Sequence, residues 1–523
     1  MTIISEFGSN AWPDDPDRVI LGLPRPTAAL GSAAKTSKRS PLRTIVLGVG
    51  GRGGLMLVNM AVLVVTSRIL TPVQFGTFAI AQLCVDLAST ISHSLVGVSM
   101  LRRKRLLGID YANAFTLLLA IGCAGGLLLA LAAGLIETWL RMPGLAPLLR
   151  MTGAIVPLRF LASFFIATLQ RQLRVETIIW AQTRSQILAA LGGTLTFAVL
   201  GFGAWSLVFG LLASTSLELF WCARASRARP RLALGVEARR ILADGVAPLS
   251  NRLLIFGADS LDRIAIGAVF GAASLGIYAR ASNIVLLPSN LIGIPAQSAL
   301  LSWFSRIQGQ TERVRHAIHS LVSFQSLLII PIAAGFCLGA SLLVQILLGR
   351  QWNGAVPLAQ FLFIGTFARL GATPLESAAL TLGYAWGSAR RQFLSAAVLV
   401  VGLAIGLFHS LLWIAVAVAA SRIAYYLLSL RFAVITFRVS RTDVFVAHLK
   451  GLAITLIGLA VAVPILLLVP DRVGLLREAV AVAAYGLAVM LTLLAGPSSL
   501  VDSVGRGLVS TWVILLRQRL FRR

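Results

Sequence analysis

The sequence predicts an all-α, polytopic membrane protein of about 14 transmembrane helices, arranged as two pseudo-symmetric six-helix lobes plus two extra helices. Three observations carry this. Hydrophobic residues are 57% of the 523-residue chain and charged residues only 12%, whereas a soluble domain is about a quarter charged. The apolar residues gather into stretches of roughly 20 to 28, each enough for a helix to cross about 30 Å of hydrocarbon. The basic residues outnumber the acids 46 to 19 and crowd into alternate loops, because Lys and Arg stay on the cytoplasmic side during insertion.

Residues 1–43 are polar, broken by Pro13, Pro16, Pro24, Pro26 and Pro41, and carry Lys35, Lys38 and Arg39 near their end. They read as a flexible cytoplasmic tail and lack the basic, apolar and small-residue order of a signal peptide. Spans are expected at 45–67, 74–100, 110–136, 146–169, 177–201 and 204–222. Arg102-Arg103-Lys104-Arg105 follow the second span, Arg171 and Arg174 the fourth, and the basic stretch Arg224 to Arg240 the sixth. The opposite connections, such as Gly201–Ala204 and Gly271–Ser274, are short and almost uncharged. A second series is expected at 244–269, 275–303, 316–346, 355–382, 391–411 and 413–436, with Arg306/Arg313/Arg315, Arg390/Arg391 and Arg438/Arg441 in its basic loops. Spans 446–469 and 475–496 complete the set. An even number of spans puts both termini in the cytoplasm. In 498–523, Val509, Val513, Leu516 and Leu520 alternate with Arg517, Arg519, Arg522 and Arg523, the pattern of an amphipathic helix on the inner leaflet.

The predicted organisation is thus a tail (1–43), a first lobe (44–222), a cytoplasmic linker (223–243), a second lobe (244–436), two further spans (437–497) and a basic tail (498–523). An internal repeat supports the two lobes. A shift of about 200 residues places Arg52 on Arg252, Asn59 on Asp259, and Phe75-Gly76-Thr77-Phe78-Ala79 on Leu275-Gly276-Ile277-Tyr278-Ala279. Both copies start after basic loops, so they share one orientation. That suits two lobes about an axis along the membrane normal, with a cavity between.

Polar residues inside spans are expensive and face a bundle interior or a wet cavity. Helical spacing sorts them into stripes. Span one carries Arg52, Asn59 and Thr66; span two carries Gln82, Asp86, Ser89 or Thr90, and His93. Span seven carries Arg252, Asp259 and Arg263, with Asn251 and Asp262 beside them; span eight carries Arg280, Asn283, Asn290 and Gln297. A cavity lined by these four helices is cationic, and Arg184, Arg369 and Arg422 add charge in other spans. Arginine offers a planar fork of donors suited to phosphate or carboxylate, which points to an anionic cargo. Arg52, Asn59, Arg252, Asp259, Asp262, Arg263, Arg280, Asn283 and Asn290 are therefore candidate cargo contacts, and Asp86, His93 and Asp259 candidate ion-coupling groups. The competing reading is an internal ion-pair ladder along span seven, with Arg159 and Arg184 near enough to span ends to snorkel. Glu218 and Glu376 stand alone on their spans except for Arg369.

The net charge of +27 does not indicate nucleic acid, because most of it lies in alternate loops and tails; its expected partner is anionic lipid. Cys84, Cys123, Cys222 and Cys337 sit in apolar runs without metal-ligand spacing and read as buried small hydrophobes. Gly48-Val49-Gly50-Gly51-Arg52-Gly53 matches a dinucleotide fingerprint, but that site needs the motif after a strand with an acid about twenty positions later, whereas here it opens a membrane span and no acid follows before Asp86. Gly50 and Gly54 suit close helix packing instead. No cofactor, metal or catalytic motif is expected.

Several motifs resemble a known family. Ser67-Arg68-Ile69-Leu70-Thr71-Pro72-Val73-Gln74-Phe75-Gly76 resembles the turn after the first helix of bacterial polysaccharide exporters. Leu169-Gln170-Arg171-Gln172-Leu173-Arg174, Asp262-Arg263-Ile264-Ala265-Ile266-Gly267 with Leu275-Gly276-Ile277-Tyr278, and Leu348-Gly349-Arg350-Gln351-Trp352 resemble further signatures, in order, over about residues 42–385. The family is the Wzx-type polysaccharide and oligosaccharide flippases, within the superfamily that also holds lipid II flippases and MATE drug exporters. The resemblance implies an alternating-access transporter in the bacterial inner membrane, moving undecaprenyl-pyrophosphate-linked oligosaccharide for exopolysaccharide, capsule or O-antigen synthesis. It implies working partners among polysaccharide polymerases and glycosyltransferases, and a monomer is adequate. Spans thirteen and fourteen resemble the lipid II flippases. The alternatives are a MATE-like ion-coupled antiporter, which predicts acid-dominated cavities, and a membrane enzyme of polysaccharide assembly, which predicts a substantial outer loop.

Overall fold

The computed structural model describes residues 58–97, 100, 108–228, 231–233, 235–289, 294–307, 310–470 and 474–496. Among them every regular element is helical. Unit 1 contains α1 (Val58–Ile69), α2 (Pro72–Ser92, continued by a π-helical turn to Gly97), α3 (Gly108–Leu140), α4 (Leu145–Arg171), α5 (Val175–Ala189, continued by a π-helical turn Ala190–Leu195 and a last turn to Val199) and α6 (Ala204–Ser226). α7 (Val236–Pro288) follows, then α8 (Ile294–Ile307), α9 (Thr311–Leu338), α10 (Ala340–Leu347), α11 (Ala355–Thr381), α12 (Ala385–Leu407), α13 (Leu411–Thr436), α14 (Arg441–Leu468) and α15 (Leu475–Ala495). The chain forms two compact units that divide between Ile264 and Ala265, inside α7.

Eleven of the described helices are long and apolar enough to cross a membrane. Three expected spans are not counted separately, each for a local reason. α1 is described only from Val58. The fifth span is interrupted by its π turn. Spans seven and eight are joined in one continuous 41-residue stretch, Pro248–Pro288, which as straight helix would reach about 60 Å, twice the hydrocarbon thickness. Gly271 breaks it, with φ 77 and ψ −177, a conformation essentially confined to glycine. The first copy turns at Leu70–Thr71, 200 positions earlier, where Thr71 is extended (φ −82, ψ 159). The two breaks thus coincide in the repeat. The two tails, the Arg102–Arg105 loop, and Gly50 and Gly54 lie outside the described residues.

The sequence motifs do local structural work. In Thr71-Pro72-Val73-Gln74, the Thr71 hydroxyl accepts from Gln74 N, Gln74 Oε1 accepts from Thr71 N at 3.0 Å, and Pro72 begins the helix. This capping box satisfies amides that α2 itself cannot. In the loop after α4, Arg171 Nη1 donates to the Met100 carbonyl (2.6 Å), Arg174 Nη1 to the Ala225 carbonyl (2.7 Å) and Gln172 Nε2 to the Ser226 carbonyl (3.3 Å). The latter two are last-turn carbonyls of α6, left without helical donors. Gly349 takes φ 101 and turns the chain so that Trp352 is wholly buried.

Within unit 1, α4 is the hub, packed on α2, α3 and α6. Gly126 of α3 and Gly153 of α4 meet so closely that a Cβ on either would overlap the other's carbonyl oxygen, the close approach that membrane helices gain from small residues. Further along the same pair, Phe115, Phe164 and Phe165 pack edge to face, with centroids 5.2–6.4 Å apart. The opposite face of α3 exposes Leu127, Leu128, Leu131, Leu135 and Trp139. Cys123 lies on that outward side and is exposed, contrary to the expectation of a buried small hydrophobe, because Gly122 and Gly126 take the packed face. Of the others, Cys222 is buried, and Cys84 and Cys337 are half-buried.

Within unit 2, α11 packs on α8, α9 and α13, and α12 packs on α13. α14 and α15 pack on each other and on α9. Tyr485 of α15 fills this junction. Its hydroxyl donates to the Pro331 carbonyl in α9 at 2.8 Å, and a Cβ on Gly458 of α14 would stand 2.7 Å from its ring.

Candidate functional site

Unit 1 holds a polar network between four helices. In α2, Gln82 Nε2 donates to Asp86 Oδ1 at 2.8 Å, as expected from their spacing of four. One turn further, Ser89 Oγ accepts from Arg159 Nε of α4 at 3.0 Å. Arg159 Nη1 pairs with Glu218 Oε2 of α6 at 2.5 Å, and Gln182 Nε2 of α5 donates to Glu218 Oε1 at 2.9 Å. Arg263 of α7 and Arg159 both lie within electrostatic range of Asp86, and Arg159 and Glu218 within range of His93. Two acids and two arginines therefore balance one another inside apolar helices. Such a balance is required where removing one partner would strand an uncompensated charge.

The expectation that Arg159 snorkels and that Glu218 stands alone is corrected by this geometry. Arg159 sits near the middle of Leu145–Arg171, too far from either end for its side chain to reach the interface. That position is the signal in the sequence that identifies it as an internal charge. Its partners, 59 and 70 positions away, carry no such signal.

Unit 2 has a corresponding cluster on α11–α13. Glu376 accepts from Ser388 Oγ, from Tyr425 Oη at 2.5 Å and from Arg391 Nη2 at 3.3 Å. The Arg391 guanidinium lies 4.1 Å from the Phe432 ring centre, a cation–π contact. Arg391, expected in a basic loop beside Arg390, is instead buried, whereas Arg390 is exposed. Glu376 is paired with Arg391 rather than left with only Arg369 on its own span. Arg422 Nη1 donates to Thr366 Oγ1 at 2.6 Å. A further set joins α9, α13 and α14: Tyr426 Oη meets His448 Nε2 at 2.7 Å, and Gln325 Nε2 donates to Tyr426 Oη at 3.4 Å.

Arg52 and Asn290 lie outside the described residues. In unit 1, Asn59, Arg252, Asp259 and His93 are exposed on the packed helices, and Asp86 and Arg263 are half-buried. Asp262 is buried, and its Oδ1 accepts from Arg263 N at 2.8 Å. In unit 2, Arg280 is buried at 6% exposure, while Asn283 is exposed. Arg263 is the cargo candidate that reaches the unit 1 network.

The chain is a multi-pass membrane protein with a two-unit helical fold. Its residues 65–357 match the model of the polysaccharide biosynthesis protein family, and the chain belongs to that family. It is 24% identical over 327 residues to "Lipopolysaccharide biosynthesis protein WzxC" of Escherichia coli (strain K12), and 25% identical over 322 residues to "Succinoglycan biosynthesis transport protein ExoT" of Rhizobium meliloti (strain 1021). These matches cover 62% and 60% of this chain, and 66% and 63% of the relatives' own lengths. In fold it is similar to the lipid II flippase MurJ in an inward closed conformation, with a TM-score of 0.66 at 13% identity, over 85% of this chain and 98% of that one. It is also similar in fold to an inward-facing multidrug resistance MATE family transporter, with a TM-score of 0.57 at 13% identity, over 73% and 94%.

Proposed function

We propose that this chain is an alternating-access flippase that carries a polyprenyl-pyrophosphate-linked oligosaccharide across the bacterial inner membrane, with both termini in the cytoplasm. The family match over residues 65–357 carries the reading. Relatives are named for different polymers: lipopolysaccharide, succinoglycan and teichuronic acid. A cargo common to such polymers is best sought in the lipid carrier and its anionic head rather than in any one sugar. Arginine suits that head, because its planar fork pairs bidentately with phosphate. Arg52, Arg252, Arg263 and Arg280, with Asn59, Asp259, Asp262, Asn283 and Asn290, are the proposed cargo contacts. Asp86, His93 and Asp259 are the proposed ion-coupling groups. On this reading the chain moves its cargo without chemistry, and polymerases and glycosyltransferases act before and after it.

The test is to delete the gene and analyse polyprenyl lipids by mass spectrometry beside the secreted polymer. The expected outcome is an accumulated polyprenyl-pyrophosphate oligosaccharide with loss of polymer, which also names the sugar. Unchanged lipids with normal polymer would sink the flippase reading.

A further inference from the structure

Unit 2 contains a groove of about 710 Å³ between α8 and the first turns of α9. Its apolar lining comes from Trp303 and Ile307 of α8 and from Leu321 and Phe324 of α9. Its basic lining comes from Arg313 and His316 of α9, and both are exposed. The volume falls in the range of small-molecule sites, roughly 300 to 1,000 Å³. From residue 300 to 324 the only acid is Glu312, against Arg306, Arg313 and Arg315. Glu312 is already engaged by Arg315 at 3.2 Å and stands 3.8 Å from His316. Arg313 forms no ion pair among the described residues.

We infer that this groove is a binding site for an anionic phospholipid, its phosphate held by Arg313 and His316 and its acyl chain laid along Trp303, Leu321 and Phe324. The argument is one of complementarity. An apolar trough edged by exposed basic side chains matches a lipid with a negative head and matches neither a soluble anion nor a neutral lipid. Basic pockets between membrane helices at the basic-loop side select anionic headgroups, each Lys or Arg adding to the attraction. Trp303 adds an aromatic ring, the side chain enriched at the headgroup level of a bilayer. The groove is separate from the polar networks described above and does not depend on the flippase reading.

Native mass spectrometry of the full chain released from nanodiscs tests it, with phosphatidylglycerol and phosphatidylcholine supplied in equal amounts. The wild type is expected to retain phosphatidylglycerol in preference. Arg313→Ala with His316→Ala should reduce that retention by at least about fivefold, the equivalent of one basic residue's attraction. Both positions are exposed, so the core is untouched. Ser320→Trp, which fills the groove from its α9 wall, should reduce retention of the lipid while leaving the basic residues in place. Arg438→Ala, an exposed charge outside the groove, should leave retention unchanged. Equal retention of the two lipids by the wild type would overturn the site. So would retention that survives both groove variants, or that Arg438→Ala lowers as much as the double variant, which would mean bulk surface charge alone. Co-release of a polyprenyl phosphate in place of phosphatidylglycerol would also overturn it, by making the groove a carrier site.

Discussion

Arg159 is the residue on which the polar network of unit 1 turns, because it hydrogen-bonds both α2, through Ser89, and α6, through Glu218. Replacing it with Leu removes one member of a charge pair and leaves Glu218 in an apolar environment with Gln182 as its remaining donor among the described residues. A cost of about 3–5 kcal/mol is expected, read as a lowered unfolding midpoint of the solubilised protein. Arg159→Leu combined with Glu218→Leu should recover most of that loss, because two apolar side chains no longer strand a charge. A double variant no more stable than the single would refute the pair. Tyr425→Phe is the milder test in unit 2: Glu376 keeps Ser388 and Arg391 as donors, so a loss of about 1.5–3 kcal/mol is expected for the charged hydrogen bond. Both pairs show why the site was only partly legible in the sequence. Helical spacing identifies Gln82 with Asp86 because four residues make one turn. It carries no information on partners 59 or 49 positions apart. Arg391 was hidden for a different reason. A basic doublet at a span end looks like a topology signal, and only packing shows that Arg390 faces out while its neighbour turns in.

The elements were far more legible than the pairs, since their lengths follow from bilayer thickness rather than from tertiary contacts. The joined helix α7 is the exception. Hydropathy separates its two spans at Gly271–Ser274, and backbone geometry shows a single glycine as the break. Gly271→Ala therefore places a Cβ in backbone territory that costs roughly 1–3 kcal/mol, with no neighbour to relieve or worsen it. A lowered unfolding midpoint is expected, and an unchanged one would mean that the break relaxes freely. The extra pair α14–α15 gives the opposite case, in which close packing rather than dihedral freedom sets the constraint. Gly458→Leu must displace the Tyr485 ring and with it the hydrogen bond to Pro331. Overpacking of about 1–3 kcal/mol is expected, and it should be confined to this junction. Limited proteolysis of the α14–α15 connection should then become faster, while the α3–α4 connection in unit 1 stays as resistant as in the wild type. Equal acceleration at both would show that the junction is not a local unit.

At the scale of the whole molecule, the question is whether positive charge in the spans serves structure or cargo. The networks divide the arginines into two groups. Arg159 and Arg391 are held by carboxylates at 2.5 and 3.3 Å, and their replacement should lower stability. Arg252 is exposed and Arg263 half-buried, and Arg263 acts on Asp86 at electrostatic range rather than through a contact ion pair among the described residues, so neither is locked in place as Arg159 and Arg391 are. Under the flippase reading, Arg252→Ala and Arg263→Ala should leave the membrane level of the protein normal and reduce polymer export. The loss of one charged hydrogen-bonding partner, about 1.5–3 kcal/mol, corresponds to roughly ten- to a hundredfold weaker hold on the cargo. Lys in either position should restore export only in part, because an ammonium keeps the charge but loses the bidentate fork. A MATE-like antiporter makes the reverse forecast for the arginines: the two variants would matter little, while Asp86→Asn, which removes a proposed coupling group under either reading, would still impair transport. Membrane level, secreted polymer and accumulated polyprenyl lipid, measured together for these three substitutions, therefore separate the readings. Normal export at normal level in both arginine variants would remove them from the cargo path and leave their charge to topology and packing.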